Sequence, residues 1–535
     1  MKRRTFLKQA GLMVAASAFP TRRTLGKEEP DYTSRVPKYT FANTFEEQQA
    51  QLKTNPLMLR FIDSRKKMAG DPYRPIYHFV SPESTMNDPN GLCFWQDRWH
   101  LFYQGYPPED RRQHWGHAVS DDLIRWRDLP YAIYPNPEHA CFSGSTLVEK
   151  DRVIAMYHGT RVGNMVAVSS DPLLLNWEKV TGKAVIPSKS PGGRPLPYRV
   201  FDPCIWKKDG LYYSLSGGTL PGPGGKRVRA DFLFRSKDLA NWEYLHPFVE
   251  DDRFTLVGDD GACPYFWPIG NRHILPFFSH MSGGQYILGD YDEARDKFVA
   301  TSGGLFNFGA AKPGGVHAPS ATPDGKGGVI VIFNMNPAKP TKGWNQIMTL
   351  PRLLTLAGKG DLRIEPTGDI ESLRTSHQHV GTTRLPANQE LVFKNIRGNA
   401  IEILAEIDAK KAQMFEMNVL RSPNKQEYTR IAFYRGRGYR GKSLITLDSS
   451  YASLLSDVAS RAPETAPLFL GRNENLQLRV FIDRSVVEVF VNGKQCVAMR
   501  VYPSRPDSVG VSMRSQGSDA VLKSLNAWQM KNIYE

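Results

Sequence analysis

The chain has 535 residues, 41% hydrophobic and 23% charged, enough to build two or more packed domains and too apolar for a disordered polymer. The formal net charge of +15 raises nucleic-acid binding, but the basic residues are scattered through apolar runs instead of forming a patch, so no nucleic-acid partner is expected. Five cysteines, none spaced Cys-x-x-Cys, exclude a disulfide scaffold and a zinc ribbon, while 45 Gly, 38 Pro and 11% aromatics indicate many turns between short strands.

Residues 2–8 read KRRTFLK, followed by the short apolar stretch GLMVAASAF with Ala16-Ser17-Ala18 as a small-residue cleavage site. Paired arginines before a weak apolar segment resemble a twin-arginine export signal, although Lys2 stands where Ser or Thr is usual. The plain alternative is a basic N-terminal tail. The export reading makes residues 1–30 a signal and linker and places the mature protein in the periplasm or outside the cell. The apolar run is too short to span a bilayer, so no stable membrane insertion is expected after signal removal. Residues 31–70 read as a helical arm without chemistry. Its helix opens at the capping box Thr44-Phe45-Glu46-Glu47 and is interrupted by Pro56.

A weak repeat follows. Ser120-Asp121-Asp122-Leu123 ends in Trp126, Ser170-Asp171-Pro172-Leu173 in Trp177, and Ser236-Lys237-Asp238-Leu239 in Trp242, each after a strand-like run. A degenerate copy runs from Asp290 to Phe298. Ser-Asp-Leu alone is ordinary turn chemistry. With a tryptophan at nearly the same offset three times, it predicts propeller blades, and residues 71–360 have room for five. From about 375 the texture becomes plain alternation. Leu476, Leu478, Val480 and Ile482 share one strand face, Val487, Val489 and Val491 the next, and Asn492-Gly493 signals a type I′ hairpin. Residues 375–535 are expected to form a β-sandwich, with the junction near Ala357–Gly360 and Pro366–Gly368. The fold class is therefore all-β, a five-bladed β-propeller followed by a C-terminal β-sandwich.

A propeller gathers residues distant in sequence around one axis. Met86-Asn87-Asp88-Pro89-Asn90-Gly91 is the densest polar motif, and in isolation it reads equally as a turn. In its wider setting the text HFVSPESTMNDPNGL, LFYQGYPPED, HWGHAVSDDLIRW, FSGSTLV, FDPCIW, ACPYFW and LRVFIDRSVVEVFVNG closely resembles glycoside hydrolase family 32, the invertases, levanases and inulinases. The resemblance runs in order from about 77 to 530 and implies the same propeller and sandwich. It also implies hydrolysis of β-fructofuranosides (sucrose, inulin or levan type) with retention, through a covalent fructosyl-enzyme. By resemblance Asp88 is the nucleophile and Asp202, in Phe201-Asp202-Pro203, stabilises the transition state through the sugar hydroxyls. Gln104, Trp115, Phe142 and Ser143 match positions lining the fructosyl pocket, and Asn87 lies beside the nucleophile.

Two departures matter. Phe201 stands where the family has Arg, and Ala262 where it has the acid/base Glu; Thr85 in place of Trp is a smaller one. A retaining glycosidase needs two carboxyl groups about 5–5.5 Å apart, and losing the general acid costs ~10²–10⁴ in rate. Asp259 and Asp260 are the nearby replacements. In a regular strand Asp260 shares a face with Ala262, whereas a bulge at Gly261 brings Asp259 forward. If the pair is instead a solvated turn, the chain is a fructan- or glycan-binding protein that lost or altered turnover; a hydrolase for another furanoside is a third reading. His114, His117, His158, His280 and His317 lack metal-ligand spacing and read as structural or pocket-lining, and no specific phosphate loop occurs, so no metal or cofactor is expected.

Overall fold

The repeated Ser-Asp-Leu segments each turn the chain between the third and fourth strands of a blade. Asp122 accepts the N–H groups of Ile124 and Arg125 at 2.9 and 2.7 Å. Asp171 does so for Leu175 and Asn176 at 2.9 and 2.8 Å, and Asp238 for Ala240 and Asn241 at 3.0 and 2.8 Å. Asp292 repeats the arrangement in the degenerate copy with Ala294 and Arg295. The tryptophans lock the turn, since the indole N–H groups of Trp177 and Trp242 donate to Leu174 and Leu239 carbonyls at 2.8 Å. A side chain that mimics a backbone turn lets the last blade strand fold back without an unsatisfied N–H.

The computed structural model describes residues 31–535 except 311, 359, 437–441 and 472; the expected export leader lies outside the described residues. Five sheets form the blades, antiparallel except where Val249–Glu250 pairs parallel with Lys297–Leu305 at the edge of the fourth. Their inner strands are Thr85–Trp95, Cys141–Val148, Pro203–Lys208, the short Trp267–Ile269 and Val316–Pro323. The first blade's inner strand packs against those of the second and fifth, closing the ring. The segment before it also pairs with the fifth blade, Met348 N–H donating to Phe79 O at 2.8 Å. The fifth blade's outer strands are Arg352–Ala357 and Asp361–Pro366. Its last strand therefore lies past the boundary expected at 360. Gly360 N–H closes a turn onto the Ala357 carbonyl, so the glycines read as a junction belong to a hairpin. The chain leaves the propeller only after Pro366.

Two sheets then form the sandwich. One is ordered Arg374–Val380, Ala520–Met530, Ala400–Asp408, Leu476–Asp483, Val486–Val491 and Gln495–Arg500. The other contains Glu390–Arg397, Gly510–Gln516, Met414–Arg421, Thr429–Tyr434, Lys442–Asp448 and Glu464–Phe469. The alternating faces of 476–482 and 487–491 meet in its core. Asn492 and Gly493 both have positive φ, as the hairpin signal requires. In the N-terminal arm, Thr44 accepts Glu47 N–H and donates to its carboxylate, opening the helix α1, Phe45–Thr54. Pro56 starts a second helix, α2, Pro56–Met68, capped by Asn55. Among the described residues no helix is long and apolar enough to cross a membrane.

Propeller and sandwich are joined by a buried ionic network. The Asp483 carboxylate accepts the N–H groups of Ile76, Tyr77 and His78 at 2.8, 2.8 and 2.9 Å, and contacts His78 Nδ1 at 2.9 Å. His78 Nε2 meets Glu488 at 3.1 Å, and Glu488 also takes Leu350 N–H and Arg352 at 2.7 Å. The side chains of His78, Asp483 and Glu488 are wholly inaccessible to solvent. Burial opposes a charge on His78, but hydrogen bonds and attraction from Asp483 and Glu488 outweigh it and raise the imidazole to about 9.

A pKa raised on folding contributes stability fully present below the unfolded value of 6.5 and lost as pH climbs through about 9. The His78-dependent part of that loss is expected to be about 3 kcal/mol. His78→Gln should destabilise by about 3–5 kcal/mol at pH 6, by leaving two buried carboxylates with one partner fewer. It should also flatten the decline between pH 7 and 10. Unfolding titrations check both; an unchanged slope would exclude the charged network.

Candidate active site

The inner strand of the first blade is not regular where it carries the polar motif. Its pairing with the second strand shifts register between Met86 and Pro89, so Asn87 and Asp88 sit in a bulge that turns their side chains toward the propeller axis. Gly91 has φ +49°, and a Cβ there would stand 2.7 Å from the Thr146 side chain, so only glycine lets the first two blades approach this closely.

Asp88 Oδ2 accepts Ser143 Oγ–H at 2.8 Å and the Gln104 amide at 3.2 Å, and Gln104 also donates to Ser143 at 2.8 Å. Asp88 Oδ1 faces His317 Nδ1 at 3.2 Å. Asn87 donates to Gln104 and accepts from Asn334 and Gln346 at 3.2 and 2.8 Å, which ties the first blade to the fifth. Phe142 is half-buried, and Trp115, fully buried, donates its indole N–H to the Phe142 carbonyl at 2.8 Å. Trp115 therefore braces the wall from behind.

Asp202, from the third blade, is also buried. Its Oδ2 accepts Cys263 N–H at 3.0 Å, and its Oδ1 has no hydrogen-bond partner among the described residues. The Cys263 sulfur lies 3.6 Å from Asp88 Oδ2 and 3.5 Å from Asp202 Oδ2, bridging the two carboxyl groups. Burial and both neighbouring carboxylates push the thiol far up, so it remains an S–H donor. The two acids differ. Burial raises Asp88, but hydrogen bonds from His317, Ser143 and Cys263 and the His317 charge bring it below the ordinary value. Burial and the Asp88 charge lift Asp202 to about 7. The shifts run in opposite directions, as expected of two buried acids that feel each other's charge but receive unequal donors.

The strand expected to put Asp260 and Ala262 on one face is absent. Gly258, Gly261 and Cys263 have φ of +106°, +62° and +50°, and only Ala262 pairs, in an isolated bridge with Phe278. Pleat parity therefore has no meaning here. A Cβ on Gly261 would meet the Arg229 side chain at 2.5 Å, so the buried Arg229, paired with Asp231 and Asp252, forces the chain out of strand geometry. Ala262 sits in an apolar cluster with Cys263, Phe278 and Ala318, against Phe201. Asp259 is fully buried and accepts Leu256 N–H at 2.7 Å and the Ser282 hydroxyl. Asp260 has a side chain 34% exposed, holds His280 through its N–H at 3.1 Å and Nδ1 at 2.6 Å, and lines a cavity of about 770 Å³ that Phe201 also borders.

Cys263, Asn334 and Gln346 join the site without having been singled out for it, and His317, read as structural or pocket-lining, faces Asp88. The only sequence signal was position: His317 lies within the alternating run Val316–Pro323, the inner strand of its blade. Among the described residues no group of three or more His, Cys, Asp or Glu is placed to hold a metal ion.

Residues 78–366 match the family profile described as "Glycosyl hydrolases family 32 N-terminal domain", and 369–529 match "Glycosyl hydrolases family 32 C terminal". A levanase of Bacillus subtilis is 29% identical over 505 residues, covering 86% of this chain and 71% of its own. A sucrose-6-phosphate hydrolase of Escherichia coli is 29% identical, covering 86% and 96%. The crystal structure of fructan 1-exohydrolase IIa from Cichorium intybus superposes with a TM-score of 0.76 at 23% identity, covering 86% of this chain and 98% of its own.

The raised acid makes a stability prediction. Its cost is absent below the unfolded pKa of 3.8, grows as pH rises, and is complete above about 7. Asp202→Asn should therefore stabilise the fold at pH 8 by on the order of 2–4 kcal/mol while gaining nothing at pH 3. Equal effects at both pH values in chemical unfolding would show that Asp202 titrates normally.

Proposed function

The chain belongs to glycosyl hydrolase family 32, and on that premise we propose that it hydrolyses β-fructofuranosides with retention of configuration, in saccharides of the sucrose, inulin or levan type. The observation that carries this reading is the pair of buried carboxyl groups from separate blades, Asp88 and Asp202, that meet at the Cys263 sulfur 3.6 and 3.5 Å away, with Asp88 favoured in its charged form and Asp202 pushed up to about 7. The Asp88 carboxylate attacks the anomeric carbon and forms a fructosyl ester, which water then opens. Asp202, with an unpaired oxygen inside the site, hydrogen-bonds the sugar hydroxyls as positive charge develops on the ring. Asn87, Gln104, Phe142 and Ser143 hold the fructosyl ring, with Trp115 fixing Phe142. Ala262 supplies no proton, and Asp260 is the nearby carboxyl that lines the cavity wall. The names of the levanase and the sucrose-6-phosphate hydrolase support a fructose-containing substrate.

Asp88→Asn should remove hydrolysis of sucrose, inulin and levan to below a thousandth of wild type while sugar binding by calorimetry stays within a few-fold. Undiminished turnover would contradict the assignment. A wild-type protein that binds fructan and cleaves none would instead be a glycan-binding protein.

The N-terminal KRRTFLK supports export by a twin-arginine-like route to the periplasm or beyond. Replacing Arg3 and Arg4 together by Lys should leave unprocessed protein in the cytoplasm. Normal secretion of that variant, followed by fractionation and immunoblot, would refute the leader.

A further inference from the structure

The leaving-group side of the site has lost its glutamate yet gained a histidine–aspartate pair. Asp260 uses both carboxylate oxygens on one residue: Oδ1 accepts His280 N–H at 3.1 Å and Oδ2 meets His280 Nδ1 at 2.6 Å. Backbone and ring of His280 are thus fixed by the same carboxylate. This continues the bridge between Ala262 and Phe278, so the pair sits two residues beyond the empty acid position on both segments. The His280 ring stands edge-on to Phe278 at 5.1 Å and to His317 at 6.2 Å, and His317 in turn faces Asp88. Nε2 has no protein partner among the described residues, and the side chain is 59% exposed, open to a substrate.

We propose that His280 is the catalytic acid/base of this enzyme, delivering from Nε2 the proton that Ala262 cannot, with Asp260 as its positioning residue. The inference rests on the fructosidase reading above. In the first half-reaction the Nε2 proton passes to the glycosidic oxygen as its bond to the anomeric carbon breaks and the Asp88 oxygen bonds to that carbon. In the second, neutral Nε2 takes a proton from the attacking water, whose oxygen bonds to the anomeric carbon as the Asp88 ester breaks. Protons and electron pairs balance, and the imidazolium is regenerated.

The groups facing His280 suit this role. Its hydrogen bond to Asp260 raises the imidazole above 6.5; burial opposes this, and the charges of Asp260, Asp88 and Asp202 reinforce it. His317 is the other titratable neighbour. A carboxylate that binds Nδ1 fixes ring orientation and tautomer, leaving Nε2 for the reacting oxygen, the logic that aspartate serves in hydrolytic triads. A bare carboxyl at Asp260 is less suited, because both oxygens are already acceptors.

His280→Gln should slow cleavage of sucrose by ~10²–10⁴ while changing an aryl fructoside, whose leaving group departs without a proton, by less than about tenfold. Asp260→Asn should cost less than His280→Gln and move the alkaline limb of kcat to lower pH, because the imidazolium loses its stabiliser. Asp202 also titrates near neutrality, but its limb should stay in place in Asp260→Asn, which separates the two groups. If Asp260→Asn instead gives the full loss with aryl substrates spared, and His280→Gln does not, the carboxyl is the acid and the proposal falls. If neither shows the contrast although the wild type cleaves sucrose and the aryl fructoside, this inference alone fails. No cleavage of either by the wild type overturns the fructosidase reading and this inference with it.

Discussion

Two carboxyl groups buried on one axis with a thiol between them oppose each other's charge. The way this protein resolves that conflict organises the rest of the site. Asp88 receives donors from the first, second and fifth blades through Gln104, Ser143 and His317. Among the described residues Asp202 receives the Cys263 N–H and shares the Cys263 sulfur with Asp88. These donors favour the charged form of Asp88, the form that its proposed role as nucleophile needs. Because the donors come from separate blades, a slip of one inner strand would undo the assignment.

That requirement gives the sandwich a purpose. Two of its adjacent strands supply Asp483 and Glu488, which grip the segment entering the first blade and the Arg352 guanidinium of the fifth, at the seam where the ring closes. Buried ion pairs are a poor source of net stability, but breaking one is costly, so such a network favours one arrangement over near alternatives. The seam lies directly before the bulge that aims Asp88.

The blades were legible because their turn chemistry is local: an aspartate caps its own turn in four of them, and in two a tryptophan indole bonds the carbonyl three residues back. The sandwich hairpin was legible for the same reason, Asn492 and Gly493 being suited to positive φ. The leaving-group corner was not. The parity argument for Asp260 assumed a pleat that Arg229, from another strand, prevents by occupying the space beside Gly261. Nor could spacing reveal that His280 pairs with Asp260, since that contact depends on the hairpin that brings residue 280 back to 260. The glycines near 360 read as a junction because a hairpin tip and a linker share a composition, and Trp115 read as pocket lining although packing places it behind the wall.

The central claim is that the axial acids hold opposite protonation states near neutrality. Carbon-13 NMR of protein labelled at aspartate Cγ, with Asp88→Asn and Asp202→Asn to assign the two signals, measures this directly. The account predicts one carboxyl titrating at about 7 that vanishes in Asp202→Asn, and an Asp88 signal that titrates below the ordinary aspartate value. Two carboxyls that both titrate below pH 4, or an Asp88 that carries the proton at pH 6, would contradict it.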